Sequence, residues 1–187
     1  LQDDAGVGVA IDPTARRPQA MPLAMNEVEV VVALGANLGD VRQHFTDAIR
    51  AMSEWACSPP EVAGVYRSAP WQAQGPDYFN TVCAFTTRLA APDLLRNLQQ
   101  IEIDAGRERP YLHAPRTLDL DLIFYGSAWI QSPDLVIPHP RWALRGFVVE
   151  PLAELRPDRV NESIRLQSQD PSLTRPGGWI EWREGKN

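Results

Sequence analysis

Apolar and polar positions follow two periods along this chain, and the switches between them predict its elements. Residues 28–34 form a β-branched run, the pattern of a buried strand. Gly35-Ala36-Asn37-Leu38-Gly39 reads as a strand-to-helix turn, with Asp40 placed to cap a helix N-terminus. Val41, Phe45, Ala48, Ile49 and Met52 then recur at helical spacing and predict a helix over residues 41–55, which Pro59-Pro60 ends. A strand is expected at 62–67, a loop at 68–77 (it holds Pro70, Gly75 and Pro76), and a second strand at 78–89, where Val82, Phe85 and two threonines favour extended backbone. Leu94, Leu95, Leu98, Ile101 and Glu102 lie along a predicted helix at 93–105, with Gly106 as its C-cap. Residues 107–115 look irregular, 117–125 form a strong strand, and a loop to Pro140 leads to short helical stretches at 141–144 and 149–155.

This order, strand–helix–strand–strand–helix–strand, is the split βαβ or ferredoxin-like arrangement. The expected fold class is therefore α+β, a mostly antiparallel sheet with helices packed on it in three α/β/α layers. Residues 1–26, rich in Pro, Ala and Gly, read as a poorly ordered N-terminal extension or the end of an upstream domain. The folded domain is expected over 27–160, and 161–187, where Pro, Gly and charge rise again, as a C-terminal extension.

Composition narrows the function. With 187 residues and 44% apolar content the chain can bury a real core. A formal charge of −6 without a basic run argues against nucleic acid as a partner. Lys186 is the only lysine, so any anion site in the body must use arginine, histidine and backbone. Cys57 and Cys83 show no metal-ligand spacing and read as buried thiols of a reducing compartment. No stretch approaches the roughly 20 apolar residues of a spanning helix, and no secretory leader is evident. The expectation is a cytoplasmic protein with no membrane partner.

Arg116-Thr117-Leu118-Asp119-Leu120-Asp121-Leu122 carries the strongest chemical signal. On a strand, Asp119 and Asp121 share one face and Leu118, Leu120 and Leu122 the other. Two carboxylates side by side repel unless a cation bridges them, and hard carboxylate oxygens suit Mg²⁺, which completes its shell with water and phosphate oxygens. A bare Asp-x-Asp is most often a solvated edge strand. Arg116, with Arg107 and Arg109 upstream, tips the balance towards a metal–nucleotide site. No Walker A sequence occurs. Tyr78 and Asn80, entering a strand from the Gly75-Pro76 loop, offer a ring to stack on a flat heterocycle and an amide for its edge. His139, held between Pro138 and Pro140 and followed by Arg145 and Phe147, suits a phosphate.

In this order these segments resemble the 6-hydroxymethyl-7,8-dihydropterin pyrophosphokinases of folate biosynthesis. The resemblance rests on Ala33-Leu34-Gly35-Ala36-Asn37-Leu38-Gly39, Ser68-Ala69-Pro70-Trp71, Tyr78-Phe79-Asn80, Gly106-Arg107-Glu108-Arg109, Pro115-Arg116-Thr117-Leu118-Asp119-Leu120-Asp121 and Pro138-His139-Pro140 through Phe147. It covers residues 28–160. It implies transfer of the β,γ-diphosphate of ATP to the pterin hydroxymethyl group with release of AMP. It implies two Mg²⁺ ions on Asp119 and Asp121. ATP would meet Arg109, Arg116, His139 and Arg145, with Gln100 and Leu122 near the nucleotide. Tyr78 and Phe147 would sandwich the pterin, Asn80 would pair with its edge, and Ser68 and Trp71 would supply backbone contacts. Arg107, Arg116, Asp119 and Asp121 would form the catalytic set, with Arg107 helping to close the site. His113-Ala114 stands where many relatives have Trp-Gly. Fusion to, or association with, other folate-pathway enzymes is a further implication. Two other readings stay open on the residues themselves: a nucleotide-sugar transferase using Asp-x-Asp, and a non-catalytic ferredoxin-like binding module.

Overall fold

The structure, a computed structural model, describes residues 26–70, 75–106 and 116–176. The buried first run is strand β1 (Val28–Ala36), and α1 (Val41–Ser53) follows it. Asp40 caps α1 as expected, its carboxylate accepting from the Gln43 N–H at 3.0 Å. The strand expected at 62–67 is instead two short ones, β2 (Glu61–Val62) and β3 (Tyr66–Ser68). Between them the Gly64 N–H leaves the sheet and donates to Glu154 at 2.9 Å. Next come β4 (Tyr78–Thr87), α2 (Ala91–Asp104) and β5 (Asp119–Tyr125). Gly106 closes α2 with φ of 75°, where glycine has no steric penalty. The small hairpin β6 (Ile130–Gln131) and β7 (Val136–Ile137) leads to α3 (Gly146–Leu155), which starts three residues earlier than expected and runs through Pro151. A short helix α4 (Glu162–Gln167) lies within the expected C-terminal extension.

All pairings in the main sheet are antiparallel, in the order β2-β4-β1-β5, with β3 also on β4. This is the ferredoxin-like order the element sequence predicts, with β1 central and β5 at an edge. Side-chain alternation divides the core into two. Val30, Val32 and Leu34 face Phe45, Ile49 and Met52 of α1 and Leu94 and Leu98 of α2. Val31 and Ala33 face Val148 and Leu152 of α3 on the other side. Each buried Val, Leu, Ile, Phe or Met side chain among these contributes about 1.5–3 kcal/mol. Of the two cysteines expected to be buried, Cys83 of β4 is, whereas Cys57, in the turn after α1, is exposed. The sheet is thus the middle of three layers. Leu118, Leu120 and Leu122 join the α1/α2 side, as the alternation predicts. A register shift between Val31 and Val32 then lets Ile123 and Phe124 both turn to the α3 side.

Candidate active site

Of the residues singled out by the sequence, Tyr78, Asn80, Asp119 and Asp121 converge at one end of the sheet, on its α3 face. In β4, Tyr78 and Asn80 have the parity of Val82 and Ala84, which face α3. In β5, Asp119 and Asp121 point the same way. Between them lies Gly35 of β1, paired with Asn80 on one side and Asp119 on the other. Asn80 and Asp119 therefore stand two strand spacings apart, roughly 10 Å, across a floor without a side chain. A Cβ at Gly35 would come within 3.0 Å of Asn80 Oδ1, so glycine keeps that floor open. Sequence reasoning treats Gly35 only as part of a turn. Its place in the site depends on strand register, which no local pattern reveals.

Asn80 is 6% exposed, and its Nδ2 donates to the buried Ser68 Oγ at 3.2 Å. Ser68 thus acts here through its side chain as well as its place in β3, where it pairs with Tyr78. Phe147, in the first turn of α3, packs partly buried against the α3-side core, and the Arg145 guanidinium lies 5.6 Å from its ring centroid.

Each carboxylate of β5 has its own guanidinium. Arg116 is ion-paired with Asp119, and Arg145 Nη1 lies 2.9 Å from Asp121 Oδ2. His139 is docked against β5 by its backbone N–H, which donates to the Ile123 carbonyl at 3.0 Å. Its Nδ1 accepts from the Arg141 N–H at 3.2 Å, which puts the proton of the neutral ring on Nε2, 3.9 Å from Asp121. Burial holds the His139 pKa below its ordinary value; Asp121 opposes that shift, and Arg145 and Arg141 reinforce it. The neutral imidazole is therefore a donor aimed at the place where Asp121, and any anion beside it, sits.

Around the free edge of β5 runs an open cleft of about 260 Å³, walled by Leu95, Leu120, Leu122 and Leu135 with Asp121 and His139 at its rim. Leu122 thus lines the cleft that Asp121 and His139 border. Gln100 does not. It is exposed on the outer face of α2, and its amide donates to Asp104 at 2.8 Å. The polar α2 side chain that bonds β5 is Glu102, 4% exposed, whose Oε1 accepts the Leu120 N–H at 2.6 Å, between the two aspartates. Two residues of helix are about 200° of rotation, so Gln100 faces away. Trp71, Arg107 and Arg109 lie outside the described residues.

Among the described residues no group of three or more His, Cys, Asp or Glu could form a metal cage. Asp119 and Asp121 nonetheless fit a hard divalent ion that draws its remaining ligands from water and phosphate, as Mg²⁺ does. Among the described residues no helix is long and apolar enough to cross a membrane.

Comparison with known proteins agrees with this geometry. The sequence model of the family described as 7,8-dihydro-6-hydroxymethylpterin-pyrophosphokinase (HPPK) matches residues 31–157. The chain is 42% identical over 132 residues to the 2-amino-4-hydroxy-6-hydroxymethyldihydropteridine pyrophosphokinase of Synechocystis, covering 70% of this chain and 68% of that protein. It is 33% identical over 150 residues to the Folic acid synthesis protein FOL1 of Dictyostelium discoideum, covering 80% of this chain but only 23% of the longer relative. A solved structure described as HPPK-DHPS in complex with substrates superposes with a TM-score of 0.54 at 12% identity, over 76% of this chain and 43% of the other, which establishes the shared fold.

Proposed function

Since the chain belongs to the 7,8-dihydro-6-hydroxymethylpterin-pyrophosphokinase family, we propose that it transfers the β,γ-diphosphate of ATP to the hydroxymethyl group of the dihydropterin and releases AMP. In this reaction the hydroxymethyl oxygen bonds to Pβ and gives up its proton, and the bond from Pβ to the oxygen bridging to Pα breaks, leaving AMP. The observation that carries the reading is the paired Asp119 and Asp121, each beside an arginine, facing Asn80 across the bare Gly35 floor.

Each residue has a part that follows from its place. Asp119 and Asp121 are the groups that would hold magnesium, with two ions as the proposed number. Bound there, magnesium neutralises phosphate charge and favours an in-line geometry. Arg116 and Arg145 would exchange their carboxylate partners for phosphate oxygens, for which a planar fork of donors is well matched. His139 would donate through Nε2 to the same anion. The Leu95–Leu122–Leu135 cleft would take the apolar faces of the nucleotide. Tyr78 and Phe147 would flank the pterin. Because Ser68 engages one N–H of Asn80, the other N–H and Oδ1 remain for the pterin edge. For Arg107, Arg109 and Trp71, outside the described residues, the proposed roles are those their motifs suggest: phosphate contacts for the arginines and a pterin contact for Trp71. Gln100 is left out, for its amide turns away. We also propose that the chain works beside, or joined to, other folate-pathway enzymes; its match to a fraction of the longer FOL1 relative supports this.

The test is to incubate the protein with ATP, Mg²⁺ and hydroxymethyldihydropterin and separate the nucleotides. Pterin-dependent AMP is expected. Asp119→Ala and Asp121→Ala should each reduce it at least about a hundredfold, the scale of losing one preorganised electrostatic contact to the transition state. ADP as product, or activity indifferent to both substitutions, would sink the proposal. The nucleotide-sugar transferase reading has no support in the family match. A non-catalytic module would leave ATP intact in this assay.

A further inference from the structure

In the turn after β1, Asn37 is 6% exposed, and both its amide oxygen and its amide nitrogen are hydrogen-bonded. Asn37 Oδ1 accepts the Arg116 N–H at 2.8 Å, and Asn37 Nδ2 donates to the Pro76 carbonyl at 3.1 Å. Its own N–H, and that of Leu38, donate to the Arg116 carbonyl at 3.0 and 3.2 Å. One amide side chain therefore ties together two segments 40 residues apart. Pro76 stands two residues before Tyr78, on the side read above as the pterin side, and Arg116 stands three before Asp119, on the phosphate side.

The chemistry is specific. The bridge requires an acceptor facing Arg116 and a donor facing Pro76 in one short planar group, which is what an asparagine amide supplies. Both arms lie on one short, buried side chain bonded at each end, so the bridge works as a spacer of set length. Aspartate has the same shape, but it would keep the Arg116 arm and set oxygen against the Pro76 carbonyl. The two arms are also unequal. Arg116 keeps the two backbone bonds from Asn37 and Leu38 whatever the side chain is, whereas the Pro76 carbonyl is held by the side chain itself.

We propose that Asn37 is a positioning residue for diphosphate transfer, setting the separation between the loop that leads into Tyr78 and the strand that carries the arginine and aspartates. The inference rests on the functional reading above and goes beyond it, for Asn37 lies beneath the two segments and acts through Pro76 and Arg116. Loss of the Pro76 arm should loosen the pterin side first and leave the nucleotide side nearly intact.

The experiment measures pterin-dependent AMP release in the parent, Asn37→Asp and Asn37→Leu, with KM for each substrate, kcat and the unfolding midpoint. Asn37→Asp should raise the pterin KM about tenfold, the size of one lost hydrogen-bond arm, with the ATP KM within about twofold of the parent. Asn37→Leu, lacking both arms, should in addition lower kcat. A parent-like pterin KM in Asn37→Asp overturns the positioning role. So does a proportional loss for both substrates that tracks a fallen unfolding midpoint, since that is what a merely structural residue would give. Should Asn37→Leu fail to fold, the isosteric Asn37→Asp alone decides. Absence of pterin-dependent AMP from the parent overturns the functional reading and this role together; an active parent with parent-like variants overturns only the role of Asn37.

Discussion

Gly35 and Phe147 shape the proposed pterin side in opposite senses, one by having no side chain and one by having a large one. A methyl group at Gly35 would press on Asn80 Oδ1 from 3.0 Å, closer than most real Cβ contacts, and the amide would have to shift off its bond to Ser68. Gly35→Ala should therefore weaken pterin binding several-fold while leaving stability within about 1 kcal/mol, the usual range for a tolerated single change. Phe147→Ala should cost pterin about ten- to a hundredfold in affinity, the scale of one base–aromatic stack, and cost ATP much less. Calorimetric titration with each ligand decides, and equal losses for pterin and nucleotide would argue against the sandwich. At this scale the sequence is informative where a short-range period decides direction. Asp119 and Asp121 share a face because a strand repeats every two residues. It misleads at Gln100, where the right helix is read with the wrong phase, and it is silent on Gly35 and Asn37, whose partners lie far along the chain.

The order of the elements was legible because each apolar run has one clear period, and Asp40 and Gly106 mark helix ends by their own chemistry. The split between β2 and β3 was not. Val62, Val65 and Tyr66 look like one strand until Glu154, on α3, draws the Gly64 N–H out of the ladder. The tie between α2 and β5 is of the same kind. Glu102 sits among the apolar positions of its helix because its carboxylate accepts the Leu120 N–H, which the edge strand presents away from β1. A buried backbone N–H left unmatched costs about 1–3 kcal/mol. Glu102→Leu should lower stability by that amount and disturb magnesium-dependent ATP binding, because Leu120 separates the two aspartates. Glu102→Gln, whose amide oxygen can still accept, should be milder in both. Denaturant unfolding and nucleotide titration of the pair test this; equal effects of Leu and Gln would show that shape, and not the hydrogen bond, holds the strand.

Across the whole molecule the α3 layer is fastened to the sheet by charge as well as by its apolar face. Arg156, just past the end of α3, reaches Glu29 at the start of β1 (2.7 Å) and Glu61 in β2 (3.0 Å) with a side chain 19% exposed. Its neighbour Glu154 accepts from the Tyr66 hydroxyl at 2.6 Å and pairs with Arg175 at 3.2 Å, while Thr174 exchanges backbone hydrogen bonds with Arg67. Within the segment expected as a C-terminal extension, Thr174 is thus bridged to Arg67 of β3, the strand that carries Ser68, a placement with no trace in local sequence pattern. The Arg156 clamp makes the layer contact depend on pH. The hydrogen bond from Arg156 holds the Glu61 carboxyl below its ordinary pKa of 4.5, against a smaller opposing effect of burial. A carboxyl depressed in the folded state binds its proton more readily in the unfolded chain. Its contribution is therefore complete above pH 4.5 and is lost as the pH falls through the lower folded value. Glu61 is 61% exposed, so solvent screening limits that contribution to at most about 1 kcal/mol. Glu61→Gln should therefore unfold at a slightly lower temperature than the parent at pH 7, and the gap should close as the pH is lowered through the folded pKa. Melting curves of the two proteins between pH 7 and pH 3 provide the check, and a gap that widens on acidification would mean that Glu61 is not the proton-linked part of the clamp.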